Sequence, residues 1–89
     1  MIIYLIVSAR GLRPGDRMSH GAARALDNGY DDVESVGCDV AVAAVKVVDR
    51  DESGAFIGEH IDVRLDDSDF SITASPTQRV RVARLRPET

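Results

Sequence analysis

The chain contains five segments whose hydrophobic patterns are typical of β-strands. The first, from Ile2 to Ser8, is continuously apolar and rich in β-branched residues, which predicts a strand covered on both faces. The third, from Ile57 to Leu65, alternates apolar residues with small or polar ones, which predicts one buried face and one solvated face. The pattern therefore indicates a protein built mainly from strands.

The other three predicted strands are bounded by turn-forming residues. The second runs from about Cys38 to Val48, and its apolar positions change parity at residues 43–44, which predicts a bulge or a strong bend. The run "DDSD" predicts a turn, and Phe70 and Ile72 mark a short fourth strand that ends before Pro76. The fifth runs from Gln78 to Leu85 with its valines facing inward.

A segment between Gly15 and Gly37 separates the first two strands, and a small sheet does not require it. Pro14 and Gly15 predict a turn at its start. Ser19 is a suitable N-cap for about two turns of helix, and the pair Asn28-Gly29 is a suitable stop. The rest of the segment is predicted to be loop, so we refer to residues 19–37 as the insert.

Five short strands, one long hairpin and a small helical insert predict a mainly β fold in one domain over residues 1–89. The expected architecture is a small five-stranded barrel of SH3-like or OB-like type, because closure removes the exposed edges of β-branched strands. The alternative is an open α+β sheet covered by the "AARAL" helix. Only 4% of the residues are aromatic, so Val, Ile, Leu and Ala must form the core.

The run "DRDESGAFIGEH" begins like an EF-hand calcium loop, with Asp49, Asp51 and Ser53 at alternate positions. An EF-hand needs a bidentate Glu at the twelfth position, where this chain has His60. The flanking segments are also predicted strands, whereas an EF-hand loop joins two helices. These residues therefore favour the turn of a β-hairpin, with Gly54 at positive φ, over a metal site.

Composition and motifs exclude several kinds of chemistry. The formal net charge is −4, so the chain has no overall basic field for nucleic acid or an anionic membrane. Cys38 is the only cysteine, which excludes an intramolecular disulfide and fits a reducing, cytoplasmic location. The first strand is too short to cross a bilayer. No catalytic motif is present, so we expect neither enzymatic activity nor a cofactor.

Four arginines near the C-terminus form the most distinctive charge feature, and we call them the arginine ridge: Arg79, Arg81, Arg84 and Arg86. One interpretation is a site that binds phosphate or an acidic partner surface. The other is a solvated face balanced by acidic residues on neighbouring strands. Nucleic acid is disfavoured as the ligand because the ridge has no neighbouring aromatic residues for base stacking.

The turn "GLRPGDRM", the Val-rich hairpin and the closing "PTQRVRVARL" resemble a loose family of small uncharacterised β-domains from actinobacteria and their phages. The resemblance implies a β-barrel, and an accessory protein of a phage or an actinobacterium, without implying an activity. The family's "LRPGDR" turn usually precedes a strand directly. This chain has the insert at that point, which marks the insert as its specific feature.

These observations predict a non-catalytic module that binds a protein partner through the insert. The candidate contact residues are Arg24, Leu26 and Tyr30, since Tyr combines a large contact area with a hydroxyl group. For Leu26 the alternative is that the helix only plugs an open end of the fold. Two alternative functions stay open: a nucleic-acid-binding barrel that uses the arginine ridge, and a calcium-binding domain.

Overall fold

A computed structural model describes residues 1–66 and 71–86 of the chain. The described residues form six strands, one α-helix and one short 3-10 turn. The strands are β1 (Ile2–Ser8), β2 (Arg17–Met18), β3 (Val40–Arg50), β4 (Phe56–Leu65), β5 (Ser71–Ala74) and β6 (Arg79–Leu85). The α-helix, α1, spans His20–Asp27, and the 3-10 turn spans Ala9–Gly11. None of the helices in this part of the chain is long and apolar enough to span a membrane.

The strands form one six-stranded antiparallel open sheet in the order β1-β6-β2-β3-β4-β5. The mainly β prediction is confirmed, and the predicted five-stranded SH3-like or OB-like barrel is wrong. Closure would require β1 to pair with β5, and these strands are instead the two edges of the described sheet. The helix α1 contributes buried Ala22, Ala23 and Leu26 to the core instead. The apolar inner face is therefore covered without a closed sheet, as the open alternative expected.

Local sequence signals account for most element boundaries. The hydroxyl of Ser19 accepts a hydrogen bond from the backbone N–H of Ala22 at 3.0 Å, which caps α1 as predicted. Gly29 has a φ of +84° just after the helix, which an L-residue with a side chain rarely adopts. The predicted bulge in the second strand is confirmed by a register shift between Val42 and Ala44. The predicted "DDSD" turn and Phe70 lie mostly outside the described residues.

The hairpin prediction for residues 49–60 is confirmed. The two strands β3 and β4 pair on either side of a turn in which Gly54 has a φ of +88°. One carboxylate oxygen of Asp51 accepts hydrogen bonds from the N–H and hydroxyl of Ser53 and from the N–H of Ala55, at 2.6 to 3.0 Å. These bonds hold the pKa of Asp51 below its ordinary value, the hydroxyl of Ser53 contributing most.

The core lies between the inner face of the sheet and α1. Its fully buried side chains include Met18, Leu26, Val42, Ile61, Val63, Val80 and Val82. The first strand departs from its predicted burial, because Ile2, Tyr4 and Ile6 are about half exposed at 58%, 50% and 49%. The prediction that β1 is covered on both faces is therefore wrong. The physical reason is that β1 is an edge strand, and its described neighbours leave this outer face about half open to solvent.

Candidate functional site

The backbone at the end of α1 is held firmly against the sheet. Gln78, which is 6% exposed, donates hydrogen bonds from its side-chain amide to the carbonyl oxygens of Leu26 at 3.3 Å and Tyr30 at 3.0 Å. The backbone N–H of Tyr30 donates to the carbonyl of Ala25 at 2.8 Å. The side chain of Tyr30 nevertheless remains 68% exposed. A fixed backbone thus presents a large aromatic side chain to solvent.

Asp32 ties the next part of the insert to β6. Its N–H donates to the carbonyl of Arg79 at 2.9 Å, and its carbonyl accepts from the N–H of Arg81 at 3.0 Å. Its carboxylate accepts a hydrogen bond from the hydroxyl of Ser35 at 2.6 Å and further bonds from the N–H groups of Ser35 and Glu34. These bonds, the hydroxyl first, lower the pKa of Asp32. Residues 30–35 therefore form an ordered loop on the side of β6 that faces away from β1.

The structure brings the insert and part of the arginine ridge together. Asp31 accepts a hydrogen bond from the N–H of Arg79 at 3.0 Å, and its carboxylate lies 3.7 Å from the guanidinium. Arg81 lies close enough to Asp32 to contribute to its lowered pKa. Two candidate sites that are far apart in sequence thus share one surface, and the acidic residues of the insert offset the charge of the first two ridge arginines.

The other two ridge arginines lie elsewhere. Arg84 projects from the inner face of β6 and forms two hydrogen bonds of 2.8 Å with the carboxylate of buried Asp16. Its guanidinium also donates to the carbonyl of Gly11 at 3.0 Å. Arg86 follows the end of the strand and is exposed. The four arginines therefore do not form a single ridge, because alternate residues of a strand face opposite sides of the sheet.

A cavity of about 530 Å³ lies beside this ion pair. Its lining combines charged Arg13, Arg84 and Arg86 with apolar Ile3, Leu5 and Leu85. Arg13 was not among the residues predicted from the sequence. It is the first residue of the turn-forming run "RPGD", and nothing in that run indicates that Arg13 lies beside the end of β6. The guanidinium of Arg84 is already bonded to Asp16, so Arg13 and Arg86 are the cations of this cavity that have no such partner among the described residues.

The three candidate contact residues on the insert differ in exposure. Leu26 is completely buried, as expected if the helix plugs the fold, and so it belongs to the core. Arg24 and Tyr30 are exposed. Val36, which sequence reasoning did not select, is 58% exposed on the same insert. We call Arg24 and Tyr30 together the insert surface.

The described residues contain no cluster of three or more His, Cys, Asp or Glu side chains that is suited to hold a metal ion. His60 lies 3.6 Å from Asp62 on the solvated face of β4. The Sγ atom of Cys38 lies 3.8 Å from the hydroxyl of Tyr4, and this contact raises the pKa of Tyr4. The first pair lies within β4, and the second joins β1 to the residues just before β3.

Comparison of the chain with known protein families, with curated proteins and with solved structures found no match. The resemblance to small actinobacterial and phage β-domains therefore stays a prediction. A function must therefore be inferred from the insert surface and the arginines described above.

Proposed function

We propose that the protein is a non-catalytic module that binds a protein partner through the insert surface. The observation that carries this proposal is the contrast at Tyr30, where an ordered backbone supports a side chain that is 68% exposed. Tyr is enriched among the residues that dominate binding energy, and a side chain on a backbone already fixed by Gln78 needs little reordering when a partner covers it.

The rigidity of the loop favours binding. Gln78 and Asp32 hold the insert against β6, so little backbone entropy is lost when a partner docks. Arg24 is exposed on α1, six residues before Tyr30, and adds a cation that can bond a carboxylate of the partner. In this proposal the sheet is the scaffold and the insert carries recognition, which is the usual division between strands and the segments that join them.

Nucleic acid is a less well supported ligand. Asp31 is bonded to Arg79, and Asp16 is bonded to Arg84, so two ridge cations already have anionic partners. The net charge of −4 also opposes approach to a polyanion. A protein partner requires neither an unpaired arginine ridge nor an overall positive charge.

The proposal is tested by affinity capture from a lysate of the source organism with three proteins. These are the wild type, the double variant Tyr30→Ala with Arg24→Ala, and the control Phe56→Ala. Phe56 is a suitable control because it is 69% exposed and lies on the β3–β4 hairpin, outside the insert. We expect all three to melt within a few degrees of one another, and only the double variant to lose the captured protein. Capture that survives in the double variant would place the interface elsewhere.

A further inference from the structure

Among the described residues, the strand β1 is an edge without the usual protection against pairing. It pairs with β6 in an unbroken register of seven residues, from Ile2 to Ser8, and it is the terminal strand of the sheet. Edge strands are normally protected by charged residues, Pro, bulges or short length. The sequence "IIYLIVS" has none of these features. At the opposite edge, β5 is only four residues long.

The free backbone groups of β1 belong to its even-numbered residues. The N–H of Arg86 donates to the carbonyl of Met1 at 2.8 Å, and the N–H of Ala9 donates to the carbonyl of Gln78 at 2.7 Å. Odd positions of β1 are therefore the hydrogen-bonded pairs with β6. Hydrogen-bonded and non-hydrogen-bonded pairs alternate along an antiparallel ladder. The even positions of β1 are the non-hydrogen-bonded pairs with β6, so their N–H and C=O groups point to the open edge. These residues are Ile2, Tyr4, Ile6 and Ser8.

The same positions carry an exposed apolar row. Ile2, Tyr4 and Ile6 are 58%, 50% and 49% exposed, and the register places them on one face of the sheet beside Leu85, which is 72% exposed. The row carries no charge, so two copies of it do not repel each other. The open edge thus combines unpaired backbone groups with apolar side chains.

We propose that two copies of the chain form a symmetric dimer in which β1 pairs antiparallel with β1 of the second copy, about a two-fold axis at Leu5. In this register Tyr4 lies opposite Ile6 of the second copy, and Ile2 lies opposite Ser8 of the second copy. The two-fold axis repeats each of these pairs, which gives four pairs in total. Each pair joins two even-numbered residues and exchanges two backbone hydrogen bonds, so the contact forms about eight. The Tyr–Ile pairs add aromatic contacts with β-branched residues.

The size of this contact lies near the lower limit for a specific dimer, so we expect a weak one. Interfaces contain about one hydrogen bond per 100–200 Å², so about eight bonds correspond to roughly 800–1,600 Å². Specific interfaces begin near about 1,000 Å². A register about Tyr4 forms only about six bonds, which favours the axis at Leu5. The insert contacts β6 on the side away from β1, so the dimer leaves the insert surface free in both copies.

The proposal is tested by sedimentation of the purified full chain from low micromolar to millimolar concentration. We expect a monomer–dimer equilibrium in the wild type. Ile6→Lys should raise the Kd at least about tenfold, because it places a charge at the edge in each copy. Tyr4→Pro should have the same effect and still fold, since the N–H that it removes points to the open edge. Thr73→Lys on the β5 edge is the control and should dimerise like the wild type.

Amide hydrogen exchange distinguishes strand pairing from other contacts. The amides of Ile3, Leu5 and Val7 should be protected at every concentration, because they bond to β6. The amides of Tyr4 and Ile6 should become protected only as the dimer forms. A monomer at millimolar concentration would overturn the proposal. A dimer in which the even amides still exchange rapidly would also overturn it, since that result indicates packing through side chains.

Discussion

The carboxylate of Asp16 and the guanidinium of Arg84 form a bidentate ion pair across 68 positions of sequence. Asp16 is 2% exposed and also accepts a hydrogen bond from the N–H of Arg13 at 2.9 Å. These bonds join the turn after β1 to the last strand. They also raise the pKa of Arg84, with the hydrogen bond to Asp16 as the main cause.

Removing one member of this pair should be costly. Arg84→Ala should lower the free energy of unfolding by about 3–5 kcal/mol, because it leaves the carboxylate of Asp16 buried without its cation. Arg86→Ala, a neighbouring exposed position, should change it by no more than about 0.5 kcal/mol. Urea denaturation of both variants provides the measurement. Similar losses in the two variants would show that the ion pair has no special role in stability.

Acid should destabilise the protein in a defined pH range. The pKa values of Asp32 and Asp51 are lowered in the folded state, mainly by the hydroxyls of Ser35 and Ser53. A carboxyl group with a lowered folded pKa contributes stability above its unfolded pKa of about 3.9 and loses it as the pH falls through the folded value. Urea midpoints should therefore be steady from about pH 7 to about pH 5 and fall below about pH 4. Asp32→Asn should reduce this fall, and an unchanged curve would contradict the assignment.

Calcium should leave the stability unchanged. The carboxylate of Asp51 is already occupied by hydrogen bonds within its own turn, and the loop has His60 where an EF-hand has its bidentate Glu. Thermal melts with millimolar calcium and with chelator should therefore coincide. A melting temperature that rises with calcium, and falls back in Asp49→Ala, would contradict this prediction.

Nucleic acid should bind only weakly at physiological salt. The ion pairs of Arg79 with Asp31 and of Arg84 with Asp16 leave few cations of the former ridge for phosphate. Fluorescence anisotropy with labelled single- and double-stranded oligonucleotides over a range of salt concentrations measures the affinity. Sub-micromolar binding that weakens steeply with salt, and is lost in Arg79→Ala with Arg81→Ala, would favour the nucleic-acid alternative.

Local patterns in the sequence predicted the elements well. The bounds of β1, the N-cap at Ser19 and the hairpin turn at Gly54 all follow from interactions within a few residues. Such features depend on propensity and turn chemistry, which a single sequence contains. The two-residue strand β2 was missed because two residues are too few to show a period.

The features that failed prediction depend on distant contacts. A continuous apolar run such as β1 is equally suited to a central strand and to an edge, so the sequence did not indicate that Tyr4 and Ile6 are exposed. The pairing of Arg84 with Asp16 likewise requires the three-dimensional register of β6. For the candidate site, the exposure of Tyr30 agreed with expectation, whereas Leu26 is core, because only the packing of α1 decides which helix residues face outward.

The insert surface is the proposed site of partner recognition. The most direct measurement places a photo-crosslinking phenylalanine analogue at Tyr30 and, in a second protein, at Phe56, which has nearly the same exposure of 69% against 68%. Both proteins are irradiated in a lysate of the source organism, and the crosslinked products are identified by mass spectrometry. We expect one dominant protein adduct from position 30 and none from position 56. No adduct from position 30, or the same adducts from both positions, would contradict this proposal.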